Sequence, residues 1–138
     1  MPHSKNRVWI HAVWSTKWRY PLISREMEEK IFQHIREQLE DMGCQVSIIN
    51  GMPDHIHCLF RLSRERSIAE VMKQIKGSSS HFINQIQMFH KKITWQSGYG
   101  VFSVSESALP IVYGYIKNQK SRDFNPGMNG IMNPDEHG

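Results

Sequence analysis

Residues 7–16 alternate in side-chain character and are rich in β-branched and aromatic residues. This pattern predicts a β-strand, with every second residue from Val8 to Trp14 on one face and from Trp9 to Val13 on the other. Both faces are mostly apolar. The segment is therefore predicted to be a central strand that other elements cover on both sides.

Two longer segments repeat apolar residues at the spacing of an α-helix. The first covers about 25–42, and Ser24 is its predicted N-cap because a serine hydroxyl can accept a hydrogen bond from the first free amides. The second covers about 68–88, and Ser67 with Glu70 before it has the spacing of a capping box. Both segments are therefore predicted to be helices.

Three further segments have the short apolar runs that are typical of strands, and one more has helical spacing. The dipeptide Asn50-Gly51 is a strong turn signal, and the third strand follows the turn Met52-Pro53-Asp54, so the second and third strands are predicted to form an antiparallel hairpin. Ser107 is the predicted cap of the last helix. The three strands and the helix are predicted at about 44–49, 55–62, 99–105 and 108–121.

The order of these elements is β-α-β-β-α-β with one helix added at the end. This order predicts an α+β, ferredoxin-like fold, in which an antiparallel four-stranded sheet carries two helices on one face. The other face is left for a ligand or for the C-terminal helix. The 138 residues fit a single domain, with a core of about 7–121 and an irregular tail over 122–138.

Composition narrows the class of protein only slightly. The net charge of +4 and the pI of about 9.2 are a mild bias toward polyanionic partners. No apolar run approaches the roughly 20 residues that span a bilayer, and the N-terminus has no signal-peptide pattern. Cys44 and Cys58 lie in or beside apolar segments, which favours buried free thiols. These features predict a cytoplasmic protein without a membrane anchor.

The sharpest local motif is a pair of histidines, His55 and His57, on either side of Ile56. In a strand the two imidazoles would lie on one face, roughly 6–7 Å apart along it, so both could reach one metal ion. Zinc sites of several unrelated folds use this pattern. Two unrelated histidines on a solvated strand face would look the same, so the motif alone leaves both interpretations open.

The second motif is Tyr115 followed by Gln119. On a helix these two side chains would lie on one face. A tyrosine can attack phosphorus as a nucleophile if a cation helps to remove its proton, and a glutamine carbonyl oxygen is a hard ligand suited to Mg²⁺ or Mn²⁺. Taken alone, the pair is also typical of the surface of an amphipathic helix.

Together the two motifs resemble those of the HUH-superfamily single-tyrosine transposases of the insertion sequence 200/605 group. That family carries a His-hydrophobic-His motif on a central strand and a tyrosine followed four residues later by glutamine on a C-terminal helix. The similar stretches occur in one order and span roughly residues 7–121. They are residues 13–21, 51–59, 75–79, 95–105 and 115–119.

The resemblance implies that His55, His57 and Gln119 bind a divalent metal ion, Mg²⁺ or Mn²⁺, and that Tyr115 attacks a DNA phosphate. It implies a transposase that cuts and rejoins single-stranded DNA at hairpin-bearing element ends through a 5′-phosphotyrosine intermediate. It further implies a homodimer, in which the tyrosine helix of one subunit can serve the histidine pair of the other.

DNA contacts are less well defined by the sequence. Relatives often have a basic, His-containing stretch after the glutamine, and residues 120–124 here are less basic and contain no histidine. The small residues at 77–80 fit either helix packing or the close approach of a nucleic-acid strand. His11 and His81 are expected to pack or to contact phosphate rather than to bind metal. The predicted DNA contacts are Lys17, Arg19, Lys73 and Lys76.

Three other functions are compatible with the motifs. A repeat-processing nickase would use the same chemistry for another purpose. A non-catalytic single-stranded nucleic-acid binder would use the free sheet face and would give Tyr115 no role. A small zinc hydrolase would need a third histidine or a carboxylate beside His55 and His57.

Overall fold

A computed structural model describes residues 7–87 and 91–120 of the chain, so the predicted tail, 122–138, lies outside the described residues. No helix in the described part combines the length and the apolar character that crossing a membrane requires. Short 3₁₀ turns precede the first and last helices. The strands and helices are β1 (Trp9–Ser15), α1 (Glu28–Asp41), β2 (Gln45–Met52), β3 (His55–Arg61), α2 (Ile68–Ile86), β4 (Gly100–Val104) and α3 (Leu109–Lys117).

The four strands form one antiparallel sheet in the order β2-β3-β1-β4. β1 lies between β3 and β4, as its two apolar faces predict. α1 and α2 pack against each other over one face of the sheet, and α3 contacts β2 and β3 on the other. The predicted α+β, ferredoxin-like βαββαβ architecture with an added C-terminal helix is confirmed.

The alternation of side chains in β1 and β3 divides the core into two apolar clusters. Leu59 of β3 packs with Val112 and Ile116 of α3. Because side chains two residues apart in a strand share a face, His55 and His57 lie on this same α3 side. The strand residues that face α1 and α2 instead are Ile10, Ala12, Trp14, Ile56, Cys58 and Phe60.

The two cysteines, Cys44 and Cys58, are buried free thiols, as predicted. Burial raises the pKa of both thiols, so neither is a ready thiolate at neutral pH. Both side chains therefore act as small apolar groups in the core beneath α1 and α2.

The first helix begins later than predicted, and the prediction of Ser24 as its N-cap is wrong. The Ser24 amide donates to Oε1 of Gln87 at 2.8 Å, and the Ser24 carbonyl accepts from the Met27 amide in a turn. The regular helix starts at Glu28 without a side-chain cap. The side chain of Gln87 at the end of α2 therefore holds Ser24, and no local capping bond forms at the start of α1. The capping box of Ser67 and Glu70, by contrast, is present in both directions.

The predicted turn at Asn50-Gly51 is wrong, because both residues lie inside β2 and pair with β3. The reversal occurs three residues later, at Pro53-Asp54, between the paired residues Met52 and His55, which confirms the predicted turn at Met52-Pro53-Asp54. Gly51 is needed for close packing rather than for a turn, because a Cβ there would collide with the backbone carbonyl of His55. Asn50 is held in the strand by contacts with α3, described below.

The last helix is shorter than predicted. It covers Leu109–Lys117, and Ser107 lies inside the preceding 3₁₀ turn and does not cap it. Gln119 lies just beyond the helix, in a turn, and its backbone amide donates to the Ile116 carbonyl. The predicted one-turn spacing of Tyr115 and Gln119 is nevertheless kept, since Gln119 Nε2 donates to the Tyr115 carbonyl at 3.3 Å.

Candidate active site

The candidate site is built around the first residues of β3. His55 and His57 project to the α3 side of the sheet, and their ring centroids are 5.0 Å apart. His55 is partly exposed, whereas His57 is buried. The strand alternation that the sequence indicated therefore does bring the two imidazoles together on one face.

One side of the His55 ring is held by its neighbour in the hairpin turn. Its Nδ1 lies 2.7 Å from Oδ1 of Asp54, and Oδ2 of Asp54 accepts from Nε of Arg19 at 2.9 Å. Burial acts to raise the pKa of Asp54, but His55 and Arg19 outweigh it and hold that pKa below its ordinary value. A carboxylate accepting from Nδ1–H leaves the Nε2 lone pair of His55 free for another partner.

His57 is held in a similar way, by a second histidine. Its Nδ1 lies 2.9 Å from Nε2 of His11 on the adjacent strand, and the two rings stack with their centroids 5.1 Å apart. Burial lowers the pKa of His11 to about 4 and that of His57 well below its ordinary value. Both rings are therefore neutral near pH 7. If His57 donates from Nδ1, its Nε2 lone pair is available to a cation.

α3 and the turn after it bring the second motif to this pair within one chain. The Tyr115 ring centroid is 5.6 Å from that of His57 and 6.2 Å from that of His11. Oε1 of Gln119 lies 3.3 Å from Nε2 of His55. The structure thus joins His55, His57, Tyr115 and Gln119 in one place, as the sequence predicts.

Polar contacts with β2 fasten the end of α3. Nδ2 of Asn50 donates to the carbonyls of Ile116 and Lys117 at 3.0 and 3.2 Å. Nζ of Lys120 donates to Oδ1 of Asn50 and to the Gly51 carbonyl at 2.6 and 2.8 Å. The last free carbonyls of the helix are thereby satisfied. These bonds fix the end of α3, which carries Tyr115, and the turn after it, which carries Gln119.

Oε1 of Gln119 faces Nε2 of His55, and both atoms are acceptors when the proton of the His55 ring lies on Nδ1. Gln119 Nε2 is used by the Tyr115 carbonyl, which turns Oε1 toward His55. With Nδ1–H of His55 donating to Asp54, the Nε2 that faces Oε1 carries a lone pair. Two acceptors 3.3 Å apart repel each other unless a second ring proton or a cation lies between them. The donor set therefore fits a divalent cation, with an amide oxygen joining the imidazole nitrogens.

The described residues place His11 and Asp54 against the Nδ1 atoms of the histidine pair and not as further ligands beside it. In residues 7–87 and 91–120, no His, Cys, Asp or Glu side chains form a group of three that could hold a metal ion. The zinc hydrolase alternative requires such a ligand. The atom that faces His55 is instead the amide oxygen of Gln119.

The predicted DNA contacts do not all lie near the histidine pair. Lys17 and Arg19 belong to the turn after β1, and Arg19 touches Asp54 directly. Lys73 and Lys76 belong to α2, on the opposite face of the sheet, as does the exposed His81. Lys76 donates to the carbonyls of Gln96, Ser97 and Gly98. The geometry thus places Arg19 at the site and Lys17 in the same turn.

Of the small residues at 77–80, the buried Ser79 has a packing role. The Trp95 indole donates to the Lys76 carbonyl at 3.0 Å and lies 3.2 Å from the hydroxyl of the buried Ser79. A Cβ added to Gly77 would meet nothing within 4 Å. The Trp95 side chain, from the segment before β4, therefore packs against this part of α2.

The sequence did not reveal the supporting roles that three residues have at the site. Asp54 directly precedes His55, so its carboxylate could have been recognised as a partner of that ring. His11 was expected to pack or to contact phosphate, and it does pack on His57, but its register opposite β3 could not be predicted from the sequence. The sequence predicts a turn at Asn50, and only the packing of α3 on β2 shows the part of Asn50 in placing Tyr115.

Acid is expected to destabilise the metal-free protein over the range between pH 6.5 and 4. His11 has a pKa of about 4 in the folded chain and an ordinary value of 6.5 when unfolded, so the unfolded state binds the extra proton first. The stability that this difference contributes is present above pH 6.5 and is lost as the pH falls toward 4. The shift corresponds to about 3 kcal/mol.

Urea unfolding in EDTA at several pH values measures this effect. His11→Phe is expected to flatten the profile, and His57 accounts for the slope that remains. His81→Gln, at an exposed histidine of α2, is the matched control. A wild-type profile that is flat between pH 7 and 4.5 contradicts the assignment of buried neutral histidines.

Comparisons with known proteins identify the family to which this chain belongs. The model of the family described as "Transposase IS200 like" matches residues 4–119. The ISDra2 transposase TnpA of Deinococcus radiodurans (strain R1) is 25% identical over 118 residues, which cover 82% of this chain and 84% of the relative.

Two solved structures share the fold. One, described as a transposase of Deinococcus radiodurans R1, has a TM-score of 0.66 and 24% identity over 86% of this chain and 98% of its own. The other, a REP-associated tyrosine transposase bound to a REP hairpin, has a TM-score of 0.62 and 18% identity over 88% of this chain and 71% of its own. Because the family model matches most of the sequence, this chain belongs to the IS200-like transposase family.

Proposed function

We propose that the protein cuts and rejoins single-stranded DNA at hairpin-bearing ends, with Tyr115 as the nucleophile and a divalent metal ion held by His55, His57 and Gln119. Membership of the transposase family supports a DNA-cutting enzyme. The observation that carries the finer proposal is the convergence of Tyr115 and Gln119 on the histidine pair within a single chain.

The metal ligands would be Nε2 of His55, Nε2 of His57 and Oε1 of Gln119. Asp54 orients His55 and His11 orients His57, each through the Nδ1 atom of the ligand ring. When bound, Mg²⁺ or Mn²⁺ would neutralise charge on a DNA phosphate and favour the deprotonated form of a nearby phenol. The neutral state of His57 suits this role, because a metal ligand must offer a lone pair.

The Tyr115 phenolic oxygen is the proposed attacking group. This oxygen forms a bond to phosphorus, and the bond from phosphorus to the 3′ oxygen breaks. The phenolic proton is released, and the 3′ oxygen takes up a proton. The products are a 5′-phosphotyrosine and a free 3′-hydroxyl. Attack by a 3′-hydroxyl on the phosphotyrosine reverses these changes and restores the phenol. No nucleotide cofactor is needed, because the phosphotyrosine keeps the energy of the original bond.

The partner proposed for this site is single-stranded DNA with a hairpin. Support comes from the structural relative that is bound to a REP hairpin and from the insertion-sequence relative of similar length. We further propose that the protein is a homodimer. The contact of Tyr115 with His57 inside one chain favours a site in which each subunit supplies its own tyrosine.

A strand-transfer assay tests the proposed function. The protein is incubated with labelled hairpin DNA, a second single strand and Mn²⁺, and denaturing gels resolve both a covalent adduct and a rejoined product. A transposase gives both products. A repeat-processing nickase gives the adduct and the cut strand without rejoining to the second strand. A binding module gives neither product, and that result across several hairpin substrates and metals contradicts the proposal.

A further inference from the structure

The turn after β1 holds two exposed aromatic rings beside the candidate site. Trp18 is 71% exposed and Tyr20 is 49% exposed, which places them among the most exposed large apolar side chains of the described residues. Between them, Arg19 turns inward to Asp54. The two rings are thus presented to solvent by the same short segment that contacts the histidine hairpin.

The backbone of this turn is strained. Trp18 and Arg19 both have left-handed conformations, with φ values of 60° and 57°, and neither is glycine. Such conformations cost energy and persist only where the surroundings impose them. In this turn, the left-handed backbone of these two residues directs the Arg19 guanidinium toward Asp54 and the Trp18 ring outward.

Bonds on both sides hold the turn in this shape. Oγ1 of Thr16 donates to the Tyr20 carbonyl at 2.7 Å, and the Thr16 amide donates to the Asp54 carbonyl at 2.8 Å. The Lys17 amide donates to the Thr94 carbonyl at 2.8 Å. The turn is therefore fixed both to the hairpin that carries His55 and to the segment before β4.

Each exposed ring also has a lysine next to it. Nζ of Lys17 lies 5.9 Å from the centroid of the Trp18 ring, and Nζ of Lys91 lies 5.0 Å from that of Tyr20. Exposed aromatic faces that alternate with cationic groups are typical of surfaces that bind single-stranded nucleic acid, because unpaired bases stack on the rings and phosphates pair with the cations.

We propose that Trp18 and Tyr20 form a base-stacking subsite for single-stranded DNA next to the scissile phosphate. This inference rests on the proposed function and extends it to the strand that flanks the cut. Lys17 and Lys91 contact the phosphates on either side of the stacked bases. Paired bases in a duplex have no free faces, so the subsite selects for an unpaired strand.

Binding of a fluorescent single-stranded oligonucleotide in EDTA, where no cleavage occurs, tests the proposal by anisotropy. Trp18→Ala is expected to weaken binding about 5- to 100-fold, because one stacked base is lost. Trp18→Phe, which keeps an aromatic face, should recover most of the affinity. Binding of a blunt duplex should change much less than binding of the single strand. Mn²⁺ binding should also be unchanged, since Trp18 touches none of the proposed ligands.

Tyr99→Ala is the matched control. Tyr99 is 40% exposed and also has a lysine, Lys76 of α2, 5.6 Å from its ring. Equal losses in Trp18→Ala and Tyr99→Ala overturn the proposal, as does an unchanged affinity in Trp18→Ala. A change of oligomeric state in sedimentation with Trp18→Ala also overturns it, because the ring would then belong to a subunit contact.

The outcomes separate this inference from the function on which it rests. If the wild-type protein forms the covalent adduct and Trp18→Ala binds the single strand as tightly as wild type, the subsite is refuted and the proposed function stands. If the wild-type protein neither binds the single strand nor forms an adduct, the result refutes the proposed function, and the subsite is refuted with it.

Discussion

Replacing Tyr115 by phenylalanine is expected to abolish the covalent protein–DNA adduct and to lower the rate of strand cleavage by about 10⁴-fold or more, as loss of an essential nucleophile does. The substitution removes only the hydroxyl. The ring that packs near His57 and His11 is kept, so folding and DNA binding should be little changed. Denaturing gels with labelled hairpin DNA and Mn²⁺ measure the adduct.

Tyr113 offers a matched control on the same helix. It lies two residues before Tyr115 and is 40% exposed. Side chains two apart on a helix do not share a face, so Tyr113→Phe should cut at the wild-type rate. Loss of the adduct in Tyr113→Phe but not in Tyr115→Phe would show that the wrong tyrosine has been assigned.

A second large effect is expected when the divalent metal ion is removed or when one of its proposed ligands is replaced. Chelation should stop adduct formation, and Mn²⁺ or Mg²⁺ should restore it. His55→Ala should weaken Mn²⁺ binding by more than about 100-fold, because even the groups that orient a ligand contribute 10- to 100-fold to affinity. Electron paramagnetic resonance of free Mn²⁺ measures this affinity without DNA, so the readout does not depend on catalysis.

His81→Ala is the control for this measurement, since His81 is an exposed histidine on the opposite face of the sheet. Circular dichroism should show that His55→Ala remains folded, because the His55 side chain keeps some exposure to solvent. Wild-type Mn²⁺ affinity in His55→Ala, or full cleavage in EDTA, would contradict the proposed site.

Mixing the two inactive variants tests which subunit supplies the tyrosine. His55→Ala retains Tyr115, and Tyr115→Phe retains the histidine pair. The contact of Tyr115 with His57 within one chain predicts that the mixture stays inactive. Recovery of the adduct after exchange of subunits would show instead that the tyrosine helix serves the partner's histidines.

Much of the fold could be predicted from side-chain alternation, because burial on two faces of a strand leaves a clear pattern in β1. The same alternation brought His55 and His57 to one face. Asn50-Gly51 shows where such reasoning fails. Local preference favours a turn there, but the side-chain bonds of Asn50 to the end of α3 and the tight approach of Gly51 to β3 keep both residues in the strand.

The supporting residues of the site were harder to predict, since they depend on register and tertiary contact. His11 becomes a partner of His57 only because β1 and β3 pair with Ala12 opposite Cys58. Trp18 gives no signal of its left-handed backbone, because few residues other than glycine and asparagine are expected there. Both features arise from neighbours distant in sequence.

The most direct test of the account is to identify the atom that becomes linked to DNA. The adduct formed with hairpin DNA and Mn²⁺ is digested with nuclease and protease, and the modified peptide is sequenced by mass spectrometry. The proposed chemistry predicts a nucleotide joined through its 5′ phosphate to Tyr115 and to no other residue. A nucleotide on Tyr113 or on a histidine, or a link through a 3′ phosphate, would contradict it.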